Sequence, residues 1–377
     1  MAEPRYHFAD FIALREQAAR LPSVHLEPGQ VVWVFGAGNF GRSLATAMQK
    51  QGVVVAGFVE TQPRVEAACG LPVMDWQTLA QAHPDAQLAL GILNRDTPYE
   101  QLLEIVAEAG FAPPLMPWQL YQQFSSDLGW RFWLSASACL LEGLERVGAV
   151  AQRLADEQSR QILYRMCAFR LGLDMPYSRF LSAESHYVNT LTLPALQGAD
   201  ITYVDCGAYD GDSYAQLIEA PGVSCTRAFL LEPDPDNFAR LVQRVARNGE
   251  GAVCLPLAAA QAYAMLSFNA GQGEACSIGT GAGESVIAAV ALDQLLPDVS
   301  VDVIKLDVEG AEAQVLAGAQ QLIRRSRPVL MVSLYHNPQD VWQLPELLFD
   351  YCPNYSFYIR QHAANTFEAV LYAVPRS

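Results

Sequence analysis

Glycine and acidic residues cluster where one apolar run in the C-terminal half of the chain ends. The run finishes at Asp205 and leads into a loop that contains Gly207, Tyr209, Gly211 and Ser213. Glycine lets the backbone turn sharply and approach a ligand closely. The Asp205 carboxylate can organise this loop and accept a hydrogen bond from a ligand amino group. The pattern indicates a cofactor-binding loop, with an ordinary strand-to-helix turn as the alternative.

A second acid stands where the next strand candidate ends, in the order Glu232-Pro233. A carboxylate at this position can accept hydrogen bonds from both hydroxyls of a ribose more strongly than a neutral side chain can. Ligands of open α/β sheets bind beyond the carboxyl ends of the strands. The Asp205 loop and Glu232 together therefore predict one nucleoside bound across adjacent strands. A solvated glutamate before a proline turn is the alternative.

Two later strand candidates end in residues suited to proton transfer. The first leads to Asp307 and Glu309, with Glu312 three residues further on, and the second ends at His336. Histidine has a pKa near operating pH, so we expect His336 to act as general base and Asp307 to orient the imidazole or the substrate. In a less favoured variant, Asp307, Glu309 and His336 hold a divalent cation. Helix caps, a solvated first turn and a hydrogen-bonding histidine are the structural alternatives.

A separate glycine motif lies in the N-terminal part of the chain, after an apolar run, and Glu60 ends the following run. Its G-x-G-x-x-G spacing gives a tight turn and a close backbone approach to pyrophosphate, while the acid can bind ribose. The motif residues are Gly36, Gly38, Asn39, Phe40 and Gly41. We expect nucleotide or nucleotide-sugar binding here; a structural or dimerising relic and a redox role with NAD are the alternatives.

The elements around these motifs predict an α/β protein with a small Rossmann-like domain over 1–115, a helical connector over 116–195 and a second α/β domain over 196–377. In the first domain, strands are expected at 31–35, 53–59, 71–74 and 87–92, with helices at 42–51, 76–82 and 98–109. In the last domain, strands are expected at 201–205, 228–232, 253–257, 301–307, 328–334, 356–360 and 369–374. Helices are expected there at 212–219, 235–247, 309–324 and 340–351, and the final two strands should form a hairpin.

The connector contains a helix-like pattern over 151–171, and we expect it to close over the acceptor site. Its aromatic and arginine residues either line that site or only pack between the domains. These residues are Tyr164, Arg165, Arg170, Tyr177 and Arg179.

The composition restricts the class of protein and its partners. Hydrophobic residues make up 51% of the 377 residues and charged residues 17%, which favours globular domains over disorder. A net charge of −16 opposes binding to nucleic acid or to anionic membranes. The eight cysteines are scattered singly, which favours free thiols, and no apolar stretch reaches the roughly 20 residues of a membrane span. With no signal-peptide pattern, we expect a cytoplasmic protein with a small-molecule or glycan substrate, and a homodimer is compatible with these features.

Several segments together resemble the FkbM-type family of methyltransferases. They are DCGAYDGDS, LEPDPDNFARL, LDQLL, VIKLDVEGAEAQVLAGA and RPVLMVSLYH. The likeness covers 200–375 and, less sharply, 151–171. It implies a class I methyltransferase fold with a terminal hairpin, S-adenosylmethionine as methyl donor, and transfer to a hydroxyl, commonly on a sugar or a polyketide-like product.

The resemblance also implies roles for individual residues. Asp205, Gly207 and Gly211 correspond to the cofactor loop, and Glu232 corresponds to the ribose contact. Asp307 and Glu309 fall in the family's acidic strand-end motif, and His336 falls in a later strand-end motif. Two positions depart from the family: Tyr209 replaces the usual asparagine, and the adenine edge that begins at Ala258 reads AAAQ. The alternative function is a non-catalytic nucleotide-sugar-binding or scaffolding protein with a degenerate methyltransferase domain.

Overall fold

The structure is a computed structural model of the chain. It describes residues 6–175, 180–198, 200–248, 251–268, 278–279 and 285–376. Tyr177, Arg179 and Cys276 lie outside these residues. Within the described part, seven cysteines are free and no helix is long and apolar enough to cross a membrane.

The N-terminal part forms a five-stranded sheet whose order is β3-β4-β2-β1-β5. The strands are β1 (Val31–Phe35), β2 (Val54–Val59), β3 (Ala67–Ala68), β4 (Leu71–Met74) and β5 (Leu88–Leu90). Four of them run parallel, and β3 pairs antiparallel with β4. The helices are α1 (Phe8–Ala18), α2 (Asn39–Lys50), α3 (Trp76–Ala82) and α4 (Tyr99–Glu108). The four predicted strands and three predicted helices are confirmed as elements, whereas α1 and β3 were not predicted.

The middle of the chain is helical, as predicted. It contains α5 (Pro117–Leu128), α6 (Ser137–Arg153), α7 (Glu157–Arg170) and α8 (Leu193–Leu196). Helix α6 packs on α1, and α7 packs on a late strand, where the Ser159 hydroxyl accepts a hydrogen bond from the Ile359 backbone. The connector is therefore joined to both flanking α/β parts.

The C-terminal part contains eleven strands among the described residues. They are β6 (Asp200–Cys206), β7 (Ser224–Leu231), β8 (Ala252–Leu255), β9 (Ala258–Ala259), β10 (Ala264–Phe268), β11 (Ile278–Gly279), β12 (Ser285–Val290), β13 (Val303–Leu306), β14 (Val329–Ser333), β15 (Tyr355–Gln361) and β16 (Ala369–Pro375). The helices are α9 (Asp212–Glu219), α10 (Pro235–Asn248), α11 (Leu292–Leu295), α12 (Glu312–Gly318), α13 (Gln320–Ser326) and α14 (Asp340–Tyr351).

The main sheet of this part has seven strands in the order β15-β16-β14-β13-β6-β7-β8. Strands β14, β13, β6, β7 and β8 are parallel, so their carboxyl ends meet at one edge. The predicted hairpin is confirmed, because β15 and β16 pair antiparallel and β16 adds to the sheet beside β14. Strand β13 is buried throughout, which fits its position inside a parallel sheet covered on both faces.

Two features of this part differ from the prediction. Strands β9 to β12 form a second, four-stranded sheet that was not predicted. The single helix expected over 309–324 is also wrong: Glu309 has a left-handed φ of 53°, which a right-handed helix does not accommodate, so α12 begins only at Glu312. The helical segment is then divided after Gly318, where an added Cβ would lie 2.2 Å from the Ala260 carbonyl oxygen of the β9 loop.

Candidate active site

The loop after β6 is held against the end of β13 by a close backbone contact. Gly207 has a φ of +83°, and a Cβ at this position would lie 1.8 Å from the Asp307 carbonyl oxygen. Gly211 is also left-handed and caps the N-terminus of α9. Only glycine satisfies both the conformation and the spacing at position 207, so the loop must pass directly beside the acidic end of β13.

Asp205 lies beneath this loop. It is fully buried, and one carboxylate oxygen is 3.0 Å from the Lys305 ammonium while the other accepts hydrogen bonds from Tyr203 and Ser213. Lys305 also donates to the Gly207 carbonyl. Burial opposes the charge on Lys305, but Asp205 and Asp307 outweigh it and raise its pKa. The pair thus fixes the loop from inside, and the Asp205 carboxylate does not line the cavity above. Its hydrogen bond to a ligand amino group stays a prediction.

Glu232 follows β7 and faces the same loop. Its two carboxylate oxygens accept hydrogen bonds from the backbone N–H groups of Tyr209, at 2.8 Å, and Asp234, at 2.9 Å. Burial raises the pKa of Glu232 to about 7, although these hydrogen bonds oppose the shift. The two N–H donors and the Asn237 side chain fix the orientation of the carboxylate, which lies in the wall of a cavity.

These residues surround a cavity of about 1120 Å³ at the carboxyl edge of the main sheet. Predicted site residues in its wall are Gly207, Tyr209, Glu232, Pro233, Ala258, Asp307 and Glu309. The structure therefore brings the glycine loop, the predicted ribose carboxylate and the acidic strand end to one space. Gly211 and Ser213 support the loop from α9 and are not part of the wall.

His336, which the sequence predicts as general base, lies within a group of carboxylates. Its Nδ1 is 2.7 Å from Glu312, and its Nε2 is 3.4 Å from Asp307 and 3.6 Å from Glu309. Burial opposes a charged ring, but the three carboxylates outweigh it and raise the pKa of His336 well above its usual value. The three carboxylates therefore favour a positive charge at this position, and the role of His336 as general base stays a prediction.

The opposite wall of the cavity contains residues that the sequence did not predict. The Tyr335 hydroxyl reaches both Asp307 and Glu368, and Arg95 from the loop after β5 pairs with Glu368 at 2.7 Å. His186 lines the wall with its Nδ1 3.7 Å from Glu368. Burial lowers the pKa of His186 despite the carboxylate nearby. The surroundings of His186 and His336 therefore shift their pKa values in opposite directions.

The contact between Arg95 and Glu368 is part of a larger junction. Asn365 accepts a hydrogen bond from the Tyr99 backbone and donates to the carbonyl groups of Asn94 and Thr97. Asn365, Thr366 and Glu368 all have left-handed φ values, between 53° and 59°. Left-handed conformations cost energy for residues other than glycine, so the bonds to the N-terminal part must offset that strain.

The N-terminal glycine motif opens onto a neighbouring cleft of about 2130 Å³. A Cβ at Gly41 would lie 1.9 Å from the Gly36 carbonyl oxygen, whereas one at Gly38 would have no protein atom within 4 Å. Glu60 accepts a hydrogen bond from the Ala37 backbone at 3.0 Å. The cleft wall contains Gly36, Gly38, Asn39, Phe40, Glu60, Glu309 and His336. The motif thus faces the acidic end of β13 across one space.

The connector contributes to both cavities, but Tyr164, Arg165 and Arg170, the predicted residues that the structure describes, do not line them. Tyr164 stacks on Tyr6, Arg165 pairs with Asp174, and Arg170 donates to Thr366. Packing between elements, the alternative interpretation, therefore describes Tyr164, Arg165 and Arg170. The connector residues that line the cavities are Trp130, Arg131, Phe132, Glu184, Ser185, His186 and Tyr187.

Comparison with known proteins agrees with this arrangement. Residues 205–363 match the family model described as the Methyltransferase FkbM domain. The crystal structure of Methyltransferase FkbM from Methylobacillus flagellatus KT superimposes with a TM-score of 0.77 and 22% identity, covering 97% of this chain and 98% of that chain. The comparison with curated proteins gives no match.

Two other solved structures overlap only part of the chain. They are Precorrin-6y C5,15-methyltransferase from Geobacter metallireducens GS-15, which covers 52% of this chain and 94% of its own at 11% identity, and Aeropyrum pernix fibrillarin with bound S-adenosyl-L-methionine, which covers 48% and 69% at 14% identity. Both have TM-scores of 0.32, too low to support a conclusion. The fold is that of a methyltransferase with a terminal hairpin. Within it, residues 205–363 match the model of the FkbM methyltransferase domain.

Proposed function

We propose that this chain is an S-adenosylmethionine-dependent methyltransferase that acts on a hydroxyl group of a sugar or glycan-like acceptor. The observation that supports this most directly is that Gly207, Tyr209 and Glu232 line one cavity that continues to Asp307. Glu232 offers a fixed carboxylate to the ribose hydroxyls. Pro233 and Ala258 offer apolar surface to the adenine.

The cofactor supplies a methyl group on a sulfonium sulfur. The acceptor oxygen bonds to the methyl carbon as the carbon–sulfur bond breaks; sulfur keeps that electron pair, and the hydroxyl proton passes to a base. Alignment and proton removal account for most of the catalysis in such a transfer. We assign the base to His186 rather than His336, because His186 lines the cavity and burial lowers its pKa. Glu368, 3.7 Å from Nδ1, would stabilise the imidazolium that forms.

The N-terminal motif supports a nucleotide-sugar as the acceptor. Gly38 is the motif residue whose missing side chain leaves open space rather than a packing contact. A diphosphate could approach the backbone there, at the start of α2. The cleft that contains Gly38 also contains Glu309 and His336, so a sugar joined to the diphosphate would extend toward the methyl-transfer site.

Isothermal titration with S-adenosylhomocysteine tests the cofactor part of this proposal. We expect one site per chain, and its absence would contradict the proposal and favour the non-catalytic alternative. Transfer of labelled methyl from S-adenosylmethionine to a panel of UDP-sugars tests the reaction. His186→Gln should lower kcat while leaving the affinity for S-adenosylhomocysteine unchanged.

Thermal shifts with UDP-sugars and with NAD test the N-terminal ligand. We expect a shift with UDP-sugars that Gly38→Ala abolishes without changing the Tm of the free protein, because the added methyl meets no protein atom. A shift with NAD alone would contradict the nucleotide-sugar assignment, and so would a UDP-sugar shift that survives Gly38→Ala.

A further inference from the structure

The carboxylate group around His336 contains buried polar atoms without hydrogen-bond partners. The His336 side chain is 1% exposed, and within the described residues its Nε2 and the Oε2 of Glu312 have no hydrogen-bond partner. Buried polar atoms are rarely left in this state. The Nε2 atom is directed toward Asp307 and Glu309, so both of these acids and the ring converge on the same point.

At this point Nε2 of His336 lies near two carboxylates but makes no direct hydrogen bond to them. The Nε2 atom lies 3.4 Å from Asp307 Oδ1 and 3.6 Å from Glu309 Oε2. These separations exceed those of N–H···O hydrogen bonds. Two ligand atoms that each lie about 2.1 Å from an octahedral ion are about 3.0 Å apart, so the observed separations are about half an ångström wider than those of an ion-bound site.

The other ring nitrogen has the partner that a metal-binding histidine requires. Nδ1 lies 2.7 Å from Glu312, which is fully buried and also accepts a hydrogen bond from the Val308 backbone at 3.0 Å. A carboxylate that accepts the Nδ1 proton directs the Nε2 lone pair outward, the arrangement of carboxylate–histidine–metal sites. Asp307, Glu312 and His336 can all present one ligand atom within 4.8 Å of one another.

We propose that His336 Nε2, Asp307 and Glu309 hold a divalent cation of the Mn²⁺ or Mg²⁺ type, with Glu312 orienting the histidine. Oxygen-rich ligand sets with one imidazole suit such ions. Asp307 and Glu309 line the cofactor cavity, while Glu309 and His336 line the neighbouring cleft, so the cation lies where the two spaces meet. Its open positions would bind the acceptor hydroxyl oxygen and lower the pKa of that hydroxyl. This last role rests on the proposed methyltransferase function; the cation site itself does not.

Mn²⁺ titration of the full chain tests the site. The protein is first treated with chelator and dialysed, and binding is then measured by the loss of the free-ion electron paramagnetic resonance signal. We expect one tight Mn²⁺ per chain, and we expect Glu309→Gln and His336→Gln each to weaken binding by at least about tenfold. Glu346→Gln is the matched control, because Glu346 of α14 pairs with Arg146 of α6, away from His336. It should bind Mn²⁺ as the wild type does.

S-adenosylhomocysteine titration of the same variants separates this proposal from the proposed function. Unchanged Mn²⁺ affinity in Glu309→Gln, or no stoichiometric Mn²⁺ in the wild type, would overturn the cation site even if S-adenosylhomocysteine binds. Tight Mn²⁺ without S-adenosylhomocysteine binding would support the site and contradict the methyltransferase function. If His336→Gln fails to fold by circular dichroism, Glu309→Gln decides the outcome, because its side chain is only partly buried.

Discussion

The hydroxyl of Tyr335 lies 3.2 Å from a carboxylate oxygen of Glu368, and the same hydroxyl lies 3.3 Å from Asp307. Because Arg95 pairs with the same oxygen of Glu368, this tyrosine connects the acidic end of β13 to the N-terminal part of the chain. Both α/β parts therefore contribute side chains to one polar network at the candidate active site.

A double-mutant cycle measures how strongly the two parts are coupled. Glu368 is 6% exposed and Arg95 is 40% exposed, so solvent screens the pair only in part. We expect Arg95→Met and Glu368→Gln to show a coupling energy of about 1–2 kcal/mol in the free energy of unfolding by urea. If the effects of the two substitutions on the free energy of unfolding are additive, Arg95 and Glu368 are not coupled and the prediction is wrong.

The buried pair of Asp205 and Lys305 should dominate the stability of the cofactor loop. Lys305→Met leaves a fully buried carboxylate without its cation and removes the bond to the Gly207 carbonyl. We expect the free energy of unfolding to fall by about 3–5 kcal/mol. Lys50→Met is the control, because Lys50 is mostly exposed and its pair with Asp127 should contribute less than about 1 kcal/mol. Equal losses in the two variants would refute the distinction.

Gly207→Ala separates backbone strain from close contact. Gly207 and Gly198 have similar φ values, +83° and +78°, but only at Gly207 would a Cβ meet a backbone oxygen. We expect Gly198→Ala to cost about 1–2 kcal/mol for the left-handed conformation alone, and Gly207→Ala to cost more and to abolish binding of S-adenosylhomocysteine. Calorimetric unfolding and titration of both variants measure this difference. Retention of normal binding by Gly207→Ala would show that the loop can move away from Asp307.

Glu232→Gln tests the ribose contact. Loss of the charge weakens hydrogen bonds from ribose hydroxyls, so we expect the Kd for S-adenosylhomocysteine to rise about 10- to 100-fold. Asp236→Asn, an exposed acid in the first turn of α10, is the matched control and should bind normally. Similar Kd values for Glu232→Gln and the wild type would exclude the contact.

The pKa of about 7 at Glu232 predicts a pH dependence of cofactor binding. Below pH 7 the carboxyl is protonated and is a weaker acceptor, so affinity for S-adenosylhomocysteine should rise as pH increases from 6 to 8 and then level off. For stability the sign is opposite: because the folded pKa exceeds the unfolded value, the contribution of Glu232 falls as pH rises through this range. Titrations at several pH values should show the rise in the wild type and a flat profile in Glu232→Gln.

The succession of strands and helices along the chain and the grouping of the acidic strand ends could be predicted, because apolar runs and glycine turns depend on local sequence. The second sheet could not be predicted, since its strand β9 contains only Ala258 and Ala259, too few residues to give a recognisable strand pattern. Lys305 did carry a signal: a lysine within an apolar strand must have a buried partner, here Asp205. His186 and Glu368 gave none, because their proximity depends on how the terminal hairpin folds back on the connector. The raised pKa of His336 likewise depends on three carboxylates brought together only in the folded chain.

The three left-handed residues at 365, 366 and 368 lie at the tip of the terminal hairpin. The Asn365 side chain holds this tip against the backbone of Asn94, Thr97 and Tyr99. A substitution at Asn365 would therefore loosen the hairpin from the N-terminal part and displace the adjoining cavity wall at Phe367 and Glu368.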